Sequence, residues 1–154
     1  MFSKEEEKKM RLEFWQGFDA YCKTMGKTKK WILQDTGIKP VNLKFDIDRR
    51  QALVGVDIIS HDQERRLYYY EKFESLKTIL QTALGDDLYW ELEYTLAEGK
   101  EIARIASILP EVNLYAPETW ERVHSFFFEK MTALETIFLE YRDFIRYKPA
   151  YGSN

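Results

Sequence analysis

The strongest constraint on the fold is an apolar stripe near the C-terminus, where large side chains recur at the spacing of an α-helix. After Pro117, a residue suited to the first turn of a helix, apolar residues follow one another every three or four positions as far as Ile145. This period predicts an amphipathic helix from residue 117 to about residue 147. Its length would be about 46 Å at 1.5 Å per residue, more than the width of a small domain.

A helix of this length leaves two ways to cover its stripe. An overhanging end would pack against a second subunit, and a two-fold homodimer is the commonest such arrangement. Alternatively, the helix curves over the rest of the chain and buries the whole stripe within one molecule. The first alternative predicts a partner interface at Phe127, Leu134, Phe138, Tyr141 and Ile145.

The rest of the chain predicts two more main helices and about five strands. Ser3 and Glu6 form a capping box for a first helix that ends at Gly26. A second helix extends from a Ser60–Gln63 box to about Gly85. Alternation and apolar runs predict strands over residues 31–34, 41–47, 52–59, 88–94 and 102–108, although the last could also be a short helix.

The order α-β-β-β-α-β-β-α, with strands in hairpins, predicts an α+β fold. We expect a mainly antiparallel sheet with the helices on one side. Gly55, within a strand, predicts a bulge or a close approach of two backbones.

Composition fits one globular domain over residues 1–154, with a disordered tail at 149–154. Hydrophobic residues make up 45% of the chain and charged residues 32%, which excludes a low-complexity chain. Cys22 is the only cysteine, so an internal disulfide and a cysteine-based metal site are excluded. The absence of a long apolar run and of a signal-peptide pattern predicts a cytoplasmic protein with no membrane partner.

The charge distribution is uneven. The net charge is −3, yet residues 23–50 carry eight basic and three acidic side chains. Such a segment predicts contact with phosphate or with an acidic protein surface. The alternative is a solvated loop and a strand edge whose lysines prevent edge-to-edge pairing. The candidate phosphate- or anion-binding residues are Lys27, Lys29, Lys30, Lys44, Arg49, Arg50 and Arg104.

Arg104 differs from the other candidates because it lies inside an apolar run. A charge in such a run is costly unless it is paired. The structural interpretation is a bidentate bridge to Asp57, Glu91 or Glu93. The functional interpretation is an anion-binding arginine on the sheet face.

Catalytic patterns are weak. Asp57, Glu91 and Glu93 could converge across strands and bind Mg²⁺ as a metal-dependent hydrolase, with Glu91 and Glu93 expected on one face of their strand. The Glu-x-Lys of a nuclease core is missing, as are nucleophile-elbow, phosphate-loop and His-Glu-x-x-His patterns. Cys22 and His61 are interpreted as structural. We therefore predict no catalytic residues, no metal and no cofactor.

A family resemblance is carried by residues 11–15, 31–38, 43–58, 90–92, 99–106 and 117–120. In order and spacing these segments resemble a bacterial family described only as a domain of unknown function. The resemblance implies either a lone chain of this length or a domain that follows a nuclease-like domain of the PD-(D/E)XK type. The resemblance implies an accessory role in nucleic-acid processing or defence, with nucleic acid or a nuclease-type protein as partner.

Three functions follow from these patterns. The first is a non-enzymatic binding or accessory domain associated with nucleic acid. The second is a protein-interaction or homodimeric structural module. The third, least supported by the residues, is the metal-dependent hydrolase.

Overall fold

The computed structural model describes residues 1–148, and the predicted tail lies outside the described residues. A short 3₁₀ turn at Pro117–Thr119 precedes the last helix. The other elements, in chain order, are α1 (Lys4–Thr24), β1 (Val41–Ile47), β2 (Gln51–Ile58), α2 (Gln63–Glu74), α3 (Lys77–Leu84), β3 (Tyr89–Thr95), β4 (Glu101–Pro110) and α4 (Trp120–Arg146). The α+β class is confirmed.

The sheet consists of two hairpins joined through their second strands. All neighbours are antiparallel, in the order β1-β2-β4-β3. The described residues therefore form four strands rather than five. The prediction of a strand at residues 31–34 is wrong because Leu33 has a left-handed backbone, with φ of +47°. The segment turns there and offers the sheet one hydrogen bond, from Leu43 N to Leu33 O at 3.0 Å.

The capping box of α1 is confirmed. Ser3 Oγ accepts from Glu6 N at 3.1 Å, and Glu6 Oε1 accepts from Ser3 N at 2.8 Å. Both hydrogen bonds join Ser3 to Glu6, three residues further along the chain. The local sequence therefore determines where this helix begins.

The predicted second helix is divided into α2 and α3, which makes four helices rather than three. Its predicted box at Ser60 and Gln63 is also wrong. Asp62, immediately before the helix, accepts from Glu64 N at 2.9 Å, while Ser60 Oγ accepts from Asp62 N. The residue adjacent to the first turn reaches the unpaired N–H groups of that turn more easily than one two positions further away.

The helices lie on one face of the sheet and enclose an aromatic core. Val54 and Val56 of β2 and Ile105 of β4 belong to the same buried cluster as Phe14 and Phe127. α4 packs across β2 and β4, and its 27 residues span about 40 Å. Helices on a single side of the sheet were predicted, and the structure confirms this arrangement.

The stripe of α4 is buried within this chain. Four residues predicted for the partner interface are at most 1% exposed, and Tyr141 is half-buried; the four are Phe127, Leu134, Phe138 and Ile145. Their partners are other residues of the chain, so these four cannot form a surface for a second subunit. Self-association stays a prediction, and its interface would have to lie elsewhere.

The strands β2 and β4 approach each other closely at Gly55. An added Cβ there would lie 2.3 Å from the carbonyl oxygen of Ile105. The close backbone approach predicted from this glycine is confirmed.

Candidate functional site

A groove rich in lysine lies between the end of α1 and the irregular segment that follows it. We define the lysine groove by Asp19, Cys22, Lys23 and residues 27–35, and its volume is about 450 Å³. It contains four lysines and two aspartates. It therefore brings together Lys27, Lys29 and Lys30 of the predicted anion-binding set and adds Lys23.

The lysines of this groove differ in what they already contact. Lys23 Nζ lies 3.2 Å from Asp19 Oδ2, on an exposed turn of helix. Lys27 Nζ lies 4.0 Å from the centre of the Trp31 ring. Lys29 and Lys30 are exposed and form no ion pair within residues 1–148. Their charges are thus available to a ligand.

The segment that carries these lysines is held in place by α4. Ile32 N donates to Glu135 Oε2 at 2.6 Å, and Arg142 Nη1 donates to Thr36 O at 3.3 Å. Thr36 is fully buried, and its hydroxyl contacts the backbone of Ile38 and Val41. These hydrogen bonds fix the wall of the groove, although the segment has no regular secondary structure.

A second basic groove lies at the β1–β2 turn. We define the arginine groove by Arg11, Ile47, Asp48, Arg49, Arg50, Leu114 and Tyr115, and its volume is about 470 Å³. Arg49 and Arg50 belong to the predicted set, whereas Arg11 comes from α1.

Contacts within the arginine groove order two of its three guanidinium groups. Arg11 Nη1 donates to Tyr115 Oη at 2.9 Å, and Arg49 pairs with Glu7 and lies 4.4 Å from the centre of the Tyr115 ring. The carboxylate of Asp48 accepts from Arg50 N and Gln51 N and so stabilises the turn. The carboxylate of Asp48, the negative charge inside the groove, is therefore already hydrogen-bonded to backbone amides.

Arg104 and Lys44, the last two predicted anion-binding residues, lie on the face of the sheet opposite to the helices. Arg104 donates from Nε and Nη2 to the two carboxylate oxygens of Asp57, at 2.8 and 2.9 Å. These hydrogen bonds raise the pKa of Arg104 above its ordinary value. The bidentate bridge is the interpretation observed, and Arg104 is occupied by it.

The acidic residues proposed for a metal site do not meet. Asp57 and Glu91 face Arg104 from opposite sides, on β2 and β3, and Asp57 is bound to it. A bulge in β3 shifts the register between Glu91 and Tyr94, and these two residues share a face of the strand. Glu93 lies within the bulge and pairs with no residue of β4, so the expected common face of the two glutamates stays a prediction. No group of three or more potential ligands is placed to hold a metal ion in the part of the chain that is described.

Among the remaining candidates for chemistry, Cys22 and His124 are buried in the core. Burial raises the pKa of the Cys22 thiol, which disfavours a reactive thiolate. His124 is buried between α1 and α4, and its Nε2 donates to Phe14 O at 3.1 Å. Burial lowers the pKa of His124, so the ring is neutral at pH 7. His61 is exposed at the start of α2.

Two residues of this surface were not found from the sequence. Arg11 lies in a charged helix turn that looks like any solvated surface, and only the fold brings it to Tyr115. Trp15 is 37% exposed and lines a third cavity together with Arg11. The sequence pattern places Trp15 beside the apolar stripe of α1, which predicts a core residue and gives no sign of a ligand contact.

The fold and this surface define a small α+β domain with two basic grooves and an aromatic core. Its residues 10–142 match the family model described as Domain of unknown function (DUF4268). The chain belongs to this family, as its resemblance implied. Searches of curated proteins and of solved structures each found no match. Among the described residues, no helix is long and apolar enough to cross a membrane.

Proposed function

We propose that this domain is a non-enzymatic binding domain that takes the phosphates of a nucleic acid in its lysine groove. The observation that carries the proposal is the convergence of Lys23, Lys27, Lys29 and Lys30 on one concave surface of about 450 Å³. Lysine is a compact point charge that suits phosphate contact without base readout.

The charge balance of the groove supports this proposal. Asp19 offsets Lys23, and Asp35 is the only other acid in the lining. The rest of the groove is therefore positive although the whole chain has a net charge of −3. Local positive charge attracts a polyanion even when the net charge is negative.

Binding is favoured over catalysis because the candidate catalytic groups do not converge on one site and several are already engaged. Asp57 holds Arg104, His124 holds a backbone carbonyl, and the Cys22 thiol is buried. An accessory role beside a nuclease-type protein, which would supply the chemistry, is part of the same proposal.

The test is a titration of labelled DNA and RNA by fluorescence anisotropy over a range of salt concentrations. The double variant Lys29→Glu/Lys30→Glu should weaken binding, and the slope of log K against log salt should decrease by about 0.7 for each lost contact with a single strand. The matched control is Arg65→Glu/Lys100→Glu, which changes the net charge equally at exposed positions outside both grooves.

Two outcomes would contradict the proposal. Absence of binding at low salt would remove it altogether. Equal weakening by the control would show that only the overall charge matters, and the lysine groove would then have no special role.

A further inference from the structure

We propose, building on the nucleic-acid function above, that the ligand is a single strand and that it follows β1 from the lysine groove to the arginine groove. In this arrangement one of its bases rests on Trp15, between the two. The inference adds a ligand class, a path and a residue that the proposed function does not contain.

The two grooves lie at opposite ends of the same edge strand. Leu33 lines the lysine groove, and its carbonyl oxygen accepts from the amide of Leu43, near the start of β1. Ile47, the last residue of β1, lines the arginine groove. Ile47 lies four positions after Leu43 on this strand, a distance of about 13 Å at 3.3 Å per residue.

This separation is too long for a single phosphate group to contact both grooves. At a rise of about 3.4 Å per nucleotide in a stacked strand, 13 Å corresponds to about four nucleotides. A ligand that occupies both grooves is therefore an oligomer with several phosphates.

An aromatic side chain lies between the grooves. Phe45, in the middle of β1, contacts Trp31 of the lysine groove with ring centres 5.5 Å apart. The same Phe45 contacts Trp15 with ring centres 6.4 Å apart. Trp15 in turn lines a cavity with Arg11, which also lines the arginine groove. The order along β1 is thus the lysine groove, Trp15 and the arginine groove.

Trp15 is supported by a buried ring and is partly exposed. Phe127 stacks on the indole at 5.7 Å with an interplanar angle of 18°, and the residue is 37% exposed. A supported ring of this kind is a platform on which a base can stack. Bases in a duplex are already stacked on each other, so the platform selects for an unpaired strand.

Binding of oligothymidylate and oligouridylate, measured by fluorescence anisotropy, tests this inference. Strands of about 12 nucleotides should bind more tightly than a duplex of the same length, because only they offer a base to Trp15. Trp15→Leu should weaken single-strand binding by about 10-fold, and Trp15→Phe should retain most of the affinity because it keeps a ring. Leu12→Ala is the matched control, an exposed apolar residue in the same cavity.

Length dependence tests the path itself. Arg50→Gln should lower the salt slope by about 0.7 for a strand of about 12 nucleotides and leave it unchanged for about three, which cannot reach both grooves. Arg50 is exposed in the turn, so this variant keeps the test valid if thermal melting shows that Trp15→Leu does not fold.

The outcomes separate this inference from the proposed function. If Lys29→Glu/Lys30→Glu weakens binding while Trp15 and Arg50 variants do not, the path is wrong and the nucleic-acid function stands. Tighter binding of duplex, or equal competition by polyglutamate, would overturn the single-strand inference. If no nucleic acid binds, both proposals fall together.

Discussion

The strand β2 is buried on both of its faces, but the two faces are buried in different ways. On the covered face, Val54 and Val56 pack beneath the helices and belong to the aromatic core. On the open face, Asp57 is 3% exposed without any helix of residues 1–148 above it. There the covering groups are the side chains of neighbouring strands, chiefly Arg104, whose guanidinium lies 4.5 Å from the centre of the Tyr94 ring.

This comparison separates two sources of stability. Apolar burial on the covered face is favourable for each residue independently, at about 25 cal/mol per Å². A buried ion pair contributes little net stability, because desolvation offsets attraction, yet removing one partner leaves a buried charge and is costly. The Asp57–Arg104 pair on the open face therefore contributes through its integrity, because the loss of either partner leaves a buried charge.

The largest effect is expected on the covered face. Phe127→Ala should lower the free energy of unfolding by about 3–5 kcal/mol, because Phe127 is fully buried against Phe14, Phe18 and Phe45. Urea denaturation measures the loss. Phe126→Ala, at the half-buried neighbouring position, should cost clearly less, and equal losses would mean that the core does not centre on Phe127.

The open face should respond to a broken pair and recover when both partners are replaced. Arg104→Met leaves Asp57 buried without a partner and should cost about 3 kcal/mol, the lower end of the usual range because no helix covers this face. The double variant Asp57→Leu/Arg104→Met should regain most of that loss in the same urea experiment. A double variant as unstable as the single one would contradict the ion-pair account.

The covered side should also show a pH dependence, through the buried His124. Burial lowers the pKa of His124 from 6.5, so below this pH the unfolded chain binds more protons than the folded chain. Stability rises with pH wherever this holds. The free energy of unfolding should therefore fall on acidification below about pH 6.5, by at most about 1.4 kcal/mol per pH unit for this one group.

Urea denaturation at several pH values between about 5 and 7 checks this, since most carboxylates titrate lower. His124→Gln, whose amide can still donate to Phe14 O, should flatten the dependence. His61→Gln is the control, because His61 is the only other histidine and is exposed. An unchanged slope in His124→Gln would assign the pH dependence to other groups.

The smallest effect concerns the ring beneath Arg104. Tyr94→Leu removes the cation–π contact and should cost about 0.5–1 kcal/mol. Tyr94→Phe keeps the ring and should be close to the parent chain. If both substitutions cost the same, the hydroxyl rather than the ring stabilises the open face.

Several short-range patterns in the sequence predicted the structure correctly, although the capping box at Ser60 and Gln63 did not. The capping box at Ser3 and the alternation of Val41–Ile47 depend on neighbours in the chain, and both are observed. The Gly55 approach and the Asp57–Arg104 bridge were also predictable, since a glycine in a strand and a charge in an apolar run each demand a specific partner.

Features that depend on tertiary contacts were predicted less well. Residues 31–34 look like a strand, but the Trp31 ring packs on Phe18 and Phe45 and Leu33 turns the chain. The stripe of α4 gave no sign of whether the sheet is long enough to cover it. Charge counting found Lys27–Lys30 and Arg49–Arg50, but only the fold shows that they occupy two grooves joined by β1 and that Arg11 and Trp15 complete the surface.

The pairing of β2 with β4 has a kinetic consequence. Each hairpin can form from nearby residues, but the centre of the sheet requires Ile58 to meet Ala103, about 45 residues away. Closing such a loop costs entropy before any central contact forms, and folding slows as contacts become less local. We expect docking of the two hairpins at Gly55 to limit the folding rate. The segment that connects the hairpins contains α2 and α3.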